Sequence, residues 1–248
     1  MTRNRKIVTW VVGVIVGLIV LGFGAVLVYV KLIKDDAPSK FDESSLDSVL
    51  GATTTVSPGD PVTTTAAGTS TSSGDVSGTW SVAADSQVGY RVKETLAGVD
   101  TEGAGRTSSI TGTMTIDGTT VTAADLTVDM TKFTSDDSRR DSQFNGRIMQ
   151  VSQFPTATFE LTTPIDIGTI PTDGSSVQVP ATGDLTIHGV TKPVTFDLTA
   201  KETNGRIGVV GSTVITFADY GIENPSNGFA TTGDTGTLEL QLVFDKTA

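Results

Sequence analysis

The sequence contains no cysteine and only one histidine, His188, among its 248 residues. The absence of cysteine excludes disulfides, thiol nucleophiles and cysteine-ligated zinc. A single histidine excludes the paired ligands of an H-E-x-x-H metal site, and the sequence has no G-x-S-x-G nucleophile motif. We therefore predict no catalytic residue, no metal site and no enzyme activity. A folded domain of about 170 residues must be stabilised by its apolar core alone, and this size is sufficient.

Positive charge is also scarce. The chain carries 17 Lys and Arg against 28 Asp and Glu, which gives a formal net charge of −11. Nucleic acids are bound largely through Lys and Arg contacts to phosphate, and the sequence shows no basic stripe with interleaved aromatic residues. We expect no nucleic-acid binding.

One long segment lacks charge altogether, from residue 7 to residue 30. As a helix its length is about 36 Å, enough to cross a bilayer with some tilt. The segment predicts a transmembrane signal anchor over residues 7–33 that follows a cytoplasmic N-terminus, residues 1–6. The basic residues of that N-terminus place the rest of the chain outside a single-pass cell membrane protein. A cleavable signal peptide is the alternative, and the length of the apolar run favours the anchor.

Residues 34–77 are poor in large apolar side chains and rich in Ser and Thr. This composition predicts a disordered linker, with an O-glycosylated stalk as a more specific alternative. A flexible chain of this length has an r.m.s. reach of roughly 35–40 Å. The stretch FDESSLDSVL, residues 41–50, is compatible with a transient helical turn.

Beyond residue 78, apolar residues recur at every second position. The alternating runs are residues 88–92, 110–116, 126–130, 185–187, 194–198, 207–217 and 238–244. Asp117-Gly118 is a hairpin signal, and no long helical segment separates the runs. Residues 78–248 therefore predict an antiparallel all-β domain, for which a closed barrel and a sandwich both fit.

One segment departs from this pattern, residues 135–150. Ser135 is a plausible N-cap, and acidic residues follow it in the first turn. Phe144 and Ile148 lie four residues apart and share one face. We predict a short helix that covers one end of the β domain.

His188 lies between two alternating runs, with Gly189 beside it and Pro193 on the return run. A catalytic histidine needs a nucleophile, an orienting carboxylate or a metal, and no such partner appears at a specific spacing. We interpret His188 as a hairpin turn residue.

Two residue sets are candidates for binding. Arg139, Arg140 and Arg147 stand out in an acidic domain, either as ion-pair partners of nearby aspartates or as a site for an anionic head group. The second set is large and apolar, and it forms either a packed core or the lining of a ligand cavity. Its members are Met114, Met130, Phe133, Phe144, Ile148, Phe154, Phe159, Phe196 and Phe217.

Four stretches in order resemble the YceI-like family of lipocalin-like polyisoprenoid-binding proteins. They are GTWSVAADSQVGYRV (78–92), QFPTATFEL (153–161), GDLTIHGVTKPVTFDL (183–198) and ITFADYGI (215–222). The resemblance implies a lipocalin-like β-barrel of about eight strands with one short helix. It also implies an apolar interior that holds an isoprenoid chain, with a polar or phosphate head at the mouth, in an exported protein.

The sequence departs from the family at positions where members often carry histidine. Asp85, Glu94 and Gln143 occupy these positions. Roles that depend on those histidines are not transferred to this chain. Arg140 and Asp141 match the family's R-D-x-H-L run, which favours a head-group role for Arg140.

These observations lead to one functional hypothesis. The chain is expected to be a membrane-anchored, extracytoplasmic binding protein that holds an isoprenoid-type lipid, polyprenyl or quinone, without a covalent step or a further cofactor. A ligand-free interaction or stress-protective module is the alternative, and an enzyme acting on lipid phosphates is a third possibility that the residue types disfavour.

Overall fold

A computed structural model describes Gly24 and residues 37–51, 75–96, 98–171, 174–226 and 230–247. Except for Gly24, the predicted anchor, residues 7–33, lies outside the described residues. Residues 52–74 of the predicted linker also lie outside them. In the part of the chain that is described, no helix is long and apolar enough to cross a membrane.

The described residues form strands joined mainly by short connections, and every strand pairing is antiparallel. The strands are β1 (Gly78–Val82), β2 (Gln87–Leu96), β3 (Val99–Thr107), β4 (Ile110–Asp117), β5 (Thr120–Asp129), β6 (Thr134–Ser135), β7 (Thr156–Leu161), β8 (Ile165–Asp166), β9 (Val177–Ile187), β10 (Val190–Thr203), β11 (Arg206–Thr216), β12 (Ala230–Thr232) and β13 (Thr235–Lys246). The helices are α1 (Glu43–Leu50) and α2 (Ser138–Gln143), with a π-helical turn at Phe144–Ile148 and 3₁₀ turns at Met130–Lys132 and Phe217–Tyr220.

Eight strands close into a ring. Their order is β1–β4–β5–β7–β9–β10–β11–β13, and β13 pairs back with β1. The final part of β13 pairs with β1, with Lys246 opposite Trp80, whereas its first half pairs with β2, with Leu238 opposite Tyr90. The prediction of an antiparallel barrel of about eight strands is confirmed, and the sandwich alternative is excluded.

Two hairpins in the barrel turn through left-handed residue pairs. His188 and Gly189 have φ angles of 53° and 75°, and Asn204 and Gly205 have φ angles of 57° and 75°. Positive φ at both central residues is the mark of the type I′ turn, whose twist matches the flanking strands. The prediction that His188 forms a hairpin turn is confirmed.

The inward side chains form two adjoining apolar clusters. One surrounds Trp80, Phe196 and Phe244, and the other surrounds Phe144, Phe217 and Tyr220. The second cluster lies at the end covered by α2 and the π-helical turn, which together we call the cap (residues 138–148).

Helix α1 differs from the predicted disordered linker. Asp42 and Ser45 form a capping box at its start, with the Ser45 amide donating to the Asp42 side chain at 3.1 Å. Leu46 and Leu50 lie on one face and are buried against the outer wall of the barrel. The helix is ordered because the wall offers these leucines an apolar surface, which the composition of the linker does not reveal.

The cap also begins later than predicted. Asp137 is the N-cap of α2, and its side chain accepts from the Arg139 amide at 2.8 Å. Ser135 is not the N-cap because it lies in β6, and its hydroxyl donates to Asp141 at 2.6 Å.

Candidate ligand cavity

The barrel interior contains an almost wholly apolar space of about 220 Å³, which we call the apolar chamber. Its wall includes Met114 and Ala124, together with Phe159 and Phe196, whose rings meet edge to face at 5.7 Å between centroids. The period-two pattern of the strands turns these side chains inward, because successive residues of a strand point to opposite faces. The arrangement suits an apolar ligand.

A second space of about 840 Å³ lies beneath and beside the cap, and we call it the cap chamber. It shares lining residues with the apolar chamber, among them Met130, Phe133, Ile187 and Leu238. The two chambers therefore adjoin, and a long flexible molecule could occupy both.

Aromatic rings line the boundary region of the cap chamber. Tyr90 stacks on Phe144 with ring centroids 4.8 Å apart and planes inclined by 5°, and Phe133 lies at 5.8 Å from Tyr90 and 5.2 Å from Phe144. Phe144 belongs to the cap, whereas Tyr90 belongs to β2. The stack therefore fixes the cap to the barrel wall.

Tyr90 is a polar group that the sequence analysis missed. Burial raises the pKa of its phenol well above the usual value, so the hydroxyl remains protonated at neutral pH. Tyr90 lines the cap chamber. It can donate a hydrogen bond to a ligand in the cap chamber. The one sequence feature that pointed to Tyr90 is its position within the alternating run 88–92, which predicted inward side chains.

Two arginines of the cap, Arg139 and Arg140, are paired with carboxylates. Arg140 contacts Glu94 at 3.0 Å and also pairs with Asp136. Burial lowers the pKa of Arg140, but these two carboxylates outweigh that effect and raise it. Arg139 pairs with Asp137 at 3.1 Å, and the Arg139 guanidinium holds the pKa of that carboxyl below its usual range.

The predicted head-group residues thus separate into two groups. Arg139 and Arg140 line the cap chamber, but Arg147 does not, and its guanidinium instead donates to the Pro225 carbonyl at 3.0 Å. Arg147 is exposed because the π-helical turn rotates it away from the chamber.

Eight of the nine predicted lining residues face a chamber. Met114, Phe159 and Phe196 line the apolar chamber; Phe144, Ile148 and Phe217 line the cap chamber; Met130 and Phe133 line both. The prediction for Phe154 is wrong, because its ring packs on His188 at 4.4 Å and lines neither chamber. Phe154 precedes strand β7, so the alternation of that strand does not apply to it.

Comparison with known proteins identifies the family. The family model of the YceI-like domain matches residues 80–244, which is most of the barrel. The chain belongs to the YceI-like family.

The YceI-like chain is similar to UPF0312 proteins of two Vibrio species. It is 30% identical over 127 residues to one from Vibrio parahaemolyticus and 32% identical over 130 residues to one from Vibrio vulnificus. Each match covers 48% of this chain and 64% of the relative.

Two solved structures share the YceI-like fold. A polyisoprenoid-binding domain from Saccharophagus degradans, implicated in plant cell wall breakdown, has a TM-score of 0.55 and 18% identity, and the match covers 68% of this chain and 98% of that domain. BcnA of Burkholderia cenocepacia has a TM-score of 0.50 and 21% identity, with 64% of this chain and 96% of that protein covered.

His188 of the YceI-like domain is held by its turn. Its Nδ1 atom lies 3.3 Å from the Tyr220 carbonyl oxygen, and its Nε2 atom is buried with no hydrogen-bond partner among the described residues. No carboxylate or hydroxyl in the described ranges forms a hydrogen bond with it. Within the same ranges, no three His, Asp or Glu side chains are grouped as a metal site. This geometry is that of a turn residue.

Proposed function

We propose that the protein is a membrane-anchored, extracytoplasmic binding protein that encloses an isoprenoid-type lipid in its barrel. The observation that carries the proposal is the apolar chamber of about 220 Å³ adjoining the larger cap chamber. The hydrocarbon chain would occupy the apolar chamber and the head would lie in the cap chamber. The polyisoprenoid-binding domain of similar fold supports this choice of ligand.

Burial of an apolar chain supplies the driving force. Each buried methylene contributes about 0.8 kcal/mol. Engineered apolar cavities of about 150 Å³ remain dry and bind small apolar molecules, and the apolar chamber is larger, at about 220 Å³. Binding is by equilibrium shielding, with no bond made or broken.

The charged residues of the cap chamber favour an uncharged head. Glu94, Asp136 and Asp137 oppose Arg139 and Arg140, so three negative charges face two positive ones and leave a net charge of −1. A diphosphate would be repelled by this excess, and each arginine already has a carboxylate partner. A quinone or an uncharged polyprenyl head would instead accept a hydrogen bond from Tyr90. We therefore favour a quinone-type ligand over a polyprenyl phosphate.

The membrane anchor forms the second part of the proposal. It rests on the uncharged segment at residues 7–30 and the basic residues before it. An anchored barrel can exchange a lipid with the bilayer in which that lipid resides.

Native mass spectrometry of the full chain, purified from host membranes and ejected from detergent micelles, tests the ligand. A bound mass that releases a quinone or polyprenol on organic extraction is the expected result. A clean ligand-free mass, with no uptake of offered quinones, would refute it and favour a filled scaffold.

Two alanine variants serve as a matched pair in that experiment. Ala124 lines the apolar chamber, whereas its neighbour Ala123 does not. Ala124→Phe should occupy the chamber and lower lipid occupancy at least severalfold, and Ala123→Phe should leave occupancy unchanged. Equal occupancy in both variants would place the lipid elsewhere.

A further inference from the structure

Residues 37–51, which we call the strap, lie against the outer wall of the barrel. Leu46 of the strap is fully buried, and it forms one cluster with Leu50 and with Val210 and Val243 of the wall. Lys201 of β10 adds an ion pair with Asp47 at 2.6 Å. Val210 and Val243, which hold the two leucines, line neither chamber.

The wall is shaped for these leucines at Gly208. A methyl group added there would lie 2.9 Å from Leu50 Cδ1 and 3.0 Å from Leu46 Cδ2, closer than van der Waals contact allows. The neighbours Ile207 and Val209 belong to the interior cluster, so Gly208 faces outward. The absence of a side chain at Gly208 makes room for the two leucines of the strap.

The start of the strap is bound by two arginines of the wall. Arg91 donates to the Pro38 carbonyl, and Arg106 donates to the Ser39 carbonyl. The Arg106 guanidinium also lies 3.9 Å from the centroid of the Phe41 ring. A cation–π contact and two charge-assisted hydrogen bonds are made at this end, but these hydrogen bonds are only part-buried or exposed, so docking of the strap depends chiefly on the buried leucines.

The start of the strap docks beside the cap chamber. Arg91 points outward, whereas its strand neighbours Tyr90 and Val92 line the cap chamber. Only residues 34–36 separate the strap from the predicted anchor, and four peptide steps span at most about 14 Å. Residues 52–74 join the strap to β1, so their length adds nothing to the distance between membrane and barrel.

We propose that the strap fixes the barrel at the membrane surface, with the cap chamber toward the bilayer, instead of leaving it on a long tether. This inference rests on the membrane anchor of the proposed function. The strap contacts themselves do not depend on which ligand the barrel holds. A lipid leaving the bilayer would meet the chamber that receives its head.

Energy transfer to the bilayer tests this orientation in the full chain. The sequence has no cysteine, so one fluorophore can be placed through a single introduced thiol. Lys192→Cys lies in β10 close to the β9–β10 turn at the cap end, and Thr119→Cys lies in the β4–β5 turn at the other end, both at exposed positions. In nanodiscs of phosphatidylcholine with an acceptor-labelled lipid, transfer from Lys192→Cys should exceed transfer from Thr119→Cys severalfold.

Variants of the strap site separate docking from other effects. Gly208→Val should displace Leu46 and Leu50, and hydrogen exchange of the α1 amides should then accelerate about tenfold or more. Gly233→Val is the matched control, because nothing lies within 4 Å of a side chain added there. A Leu46→Ser, Leu50→Ser double variant releases the strap without altering the barrel. In the Gly208→Val variant and in the double variant, the difference in energy transfer between the two label positions should disappear. In the Gly233→Val control, that difference should persist.

Two results would overturn the proposal. The first is equal transfer from both ends of the otherwise unaltered chain while that chain remains in the nanodisc. The second is faster exchange in α1 of the Gly208→Val variant with the difference between the labels unchanged. A chain that does not insert refutes the anchor and this proposal together. Extraction of lipid from the same samples reports on the ligand separately, so a missing lipid counts only against the proposed ligand.

Discussion

Removal of the lipid from the apolar chamber is expected to destabilise the barrel strongly. An empty chamber of about 220 Å³ costs about 5 kcal/mol, at ~24 cal/mol per Å³ of void. A domain of this size loses about 2–4 °C in Tm per kcal/mol, so the stripped protein should unfold ~10–20 °C below the loaded protein. The loss is a large share of the ~5–15 kcal/mol that stabilises a typical domain.

Calorimetry of the full chain measures this difference before and after the lipid is stripped with cyclodextrin. Mass spectrometry verifies that the ligand has gone. Ala124→Phe, which occupies part of the chamber, should show a smaller shift, and Ala123→Phe should show the full one. Loaded and stripped proteins that unfold within about 2 °C of each other would refute the reasoning, because the void would then have collapsed or never held the chain.

Three further predictions concern single residues. Glu239→Gln removes the buried carboxylate that pairs with Arg91 at 2.7 Å and leaves Arg91 with Glu102 alone as its carboxylate partner among the described residues, so urea titration should show a loss of about 1.5–3 kcal/mol. Asp245→Asn at an exposed pair should cost about 0–1 kcal/mol. Leu46→Ala in the fully buried strap contact should cost about 2–5 kcal/mol in the same titration. Tyr90→Phe should weaken quinone binding ~5–10-fold through one lost hydrogen bond while hydrocarbon binding is unchanged, as measured by fluorescence titration. Burial raises the pKa of Tyr90 above the usual 10.0. The contribution of the protonated phenol to the free energy of unfolding is therefore complete below pH 10.0, and it declines as the pH rises toward the pKa of Tyr90 in the folded state. The Tyr90→Phe variant should lack that part of the alkaline destabilisation, and equal alkaline transitions in both proteins would contradict it.

The barrel could be predicted because its strands obey a local rule. Alternation along residues 110–116 and 185–187 places every second side chain inside, whatever the neighbouring strand. The His188 turn followed from glycine chemistry and the flanking runs. These features depend on residues close in sequence, so a single sequence contains them.

Features that depend on distant partners could not be predicted. Arg140 pairs with Glu94, which is 46 residues away in the sequence, and Glu94 supplies one of the three negative charges of the cap chamber. The order of α1 depends on Gly208 and Val243, far along the chain. Residues 239–244 are buried at every position and not at every second one, although Glu239 and Gln241 on the outer face are polar. The strap covers this outer face at Val243, and the sequence of the strand does not reveal that cover.

The ring closes between strands from opposite ends of the barrel sequence. Trp80 of β1 lies opposite Lys246 of β13, so the wall remains open until β13 has been synthesised and has paired. Pairings of such long sequence separation form slowly. A chain that ends before β13 cannot close this ring, so the apolar faces of its strands are not yet enclosed. Neither chamber exists at that stage, so the lipid can enter only after synthesis of the barrel is complete.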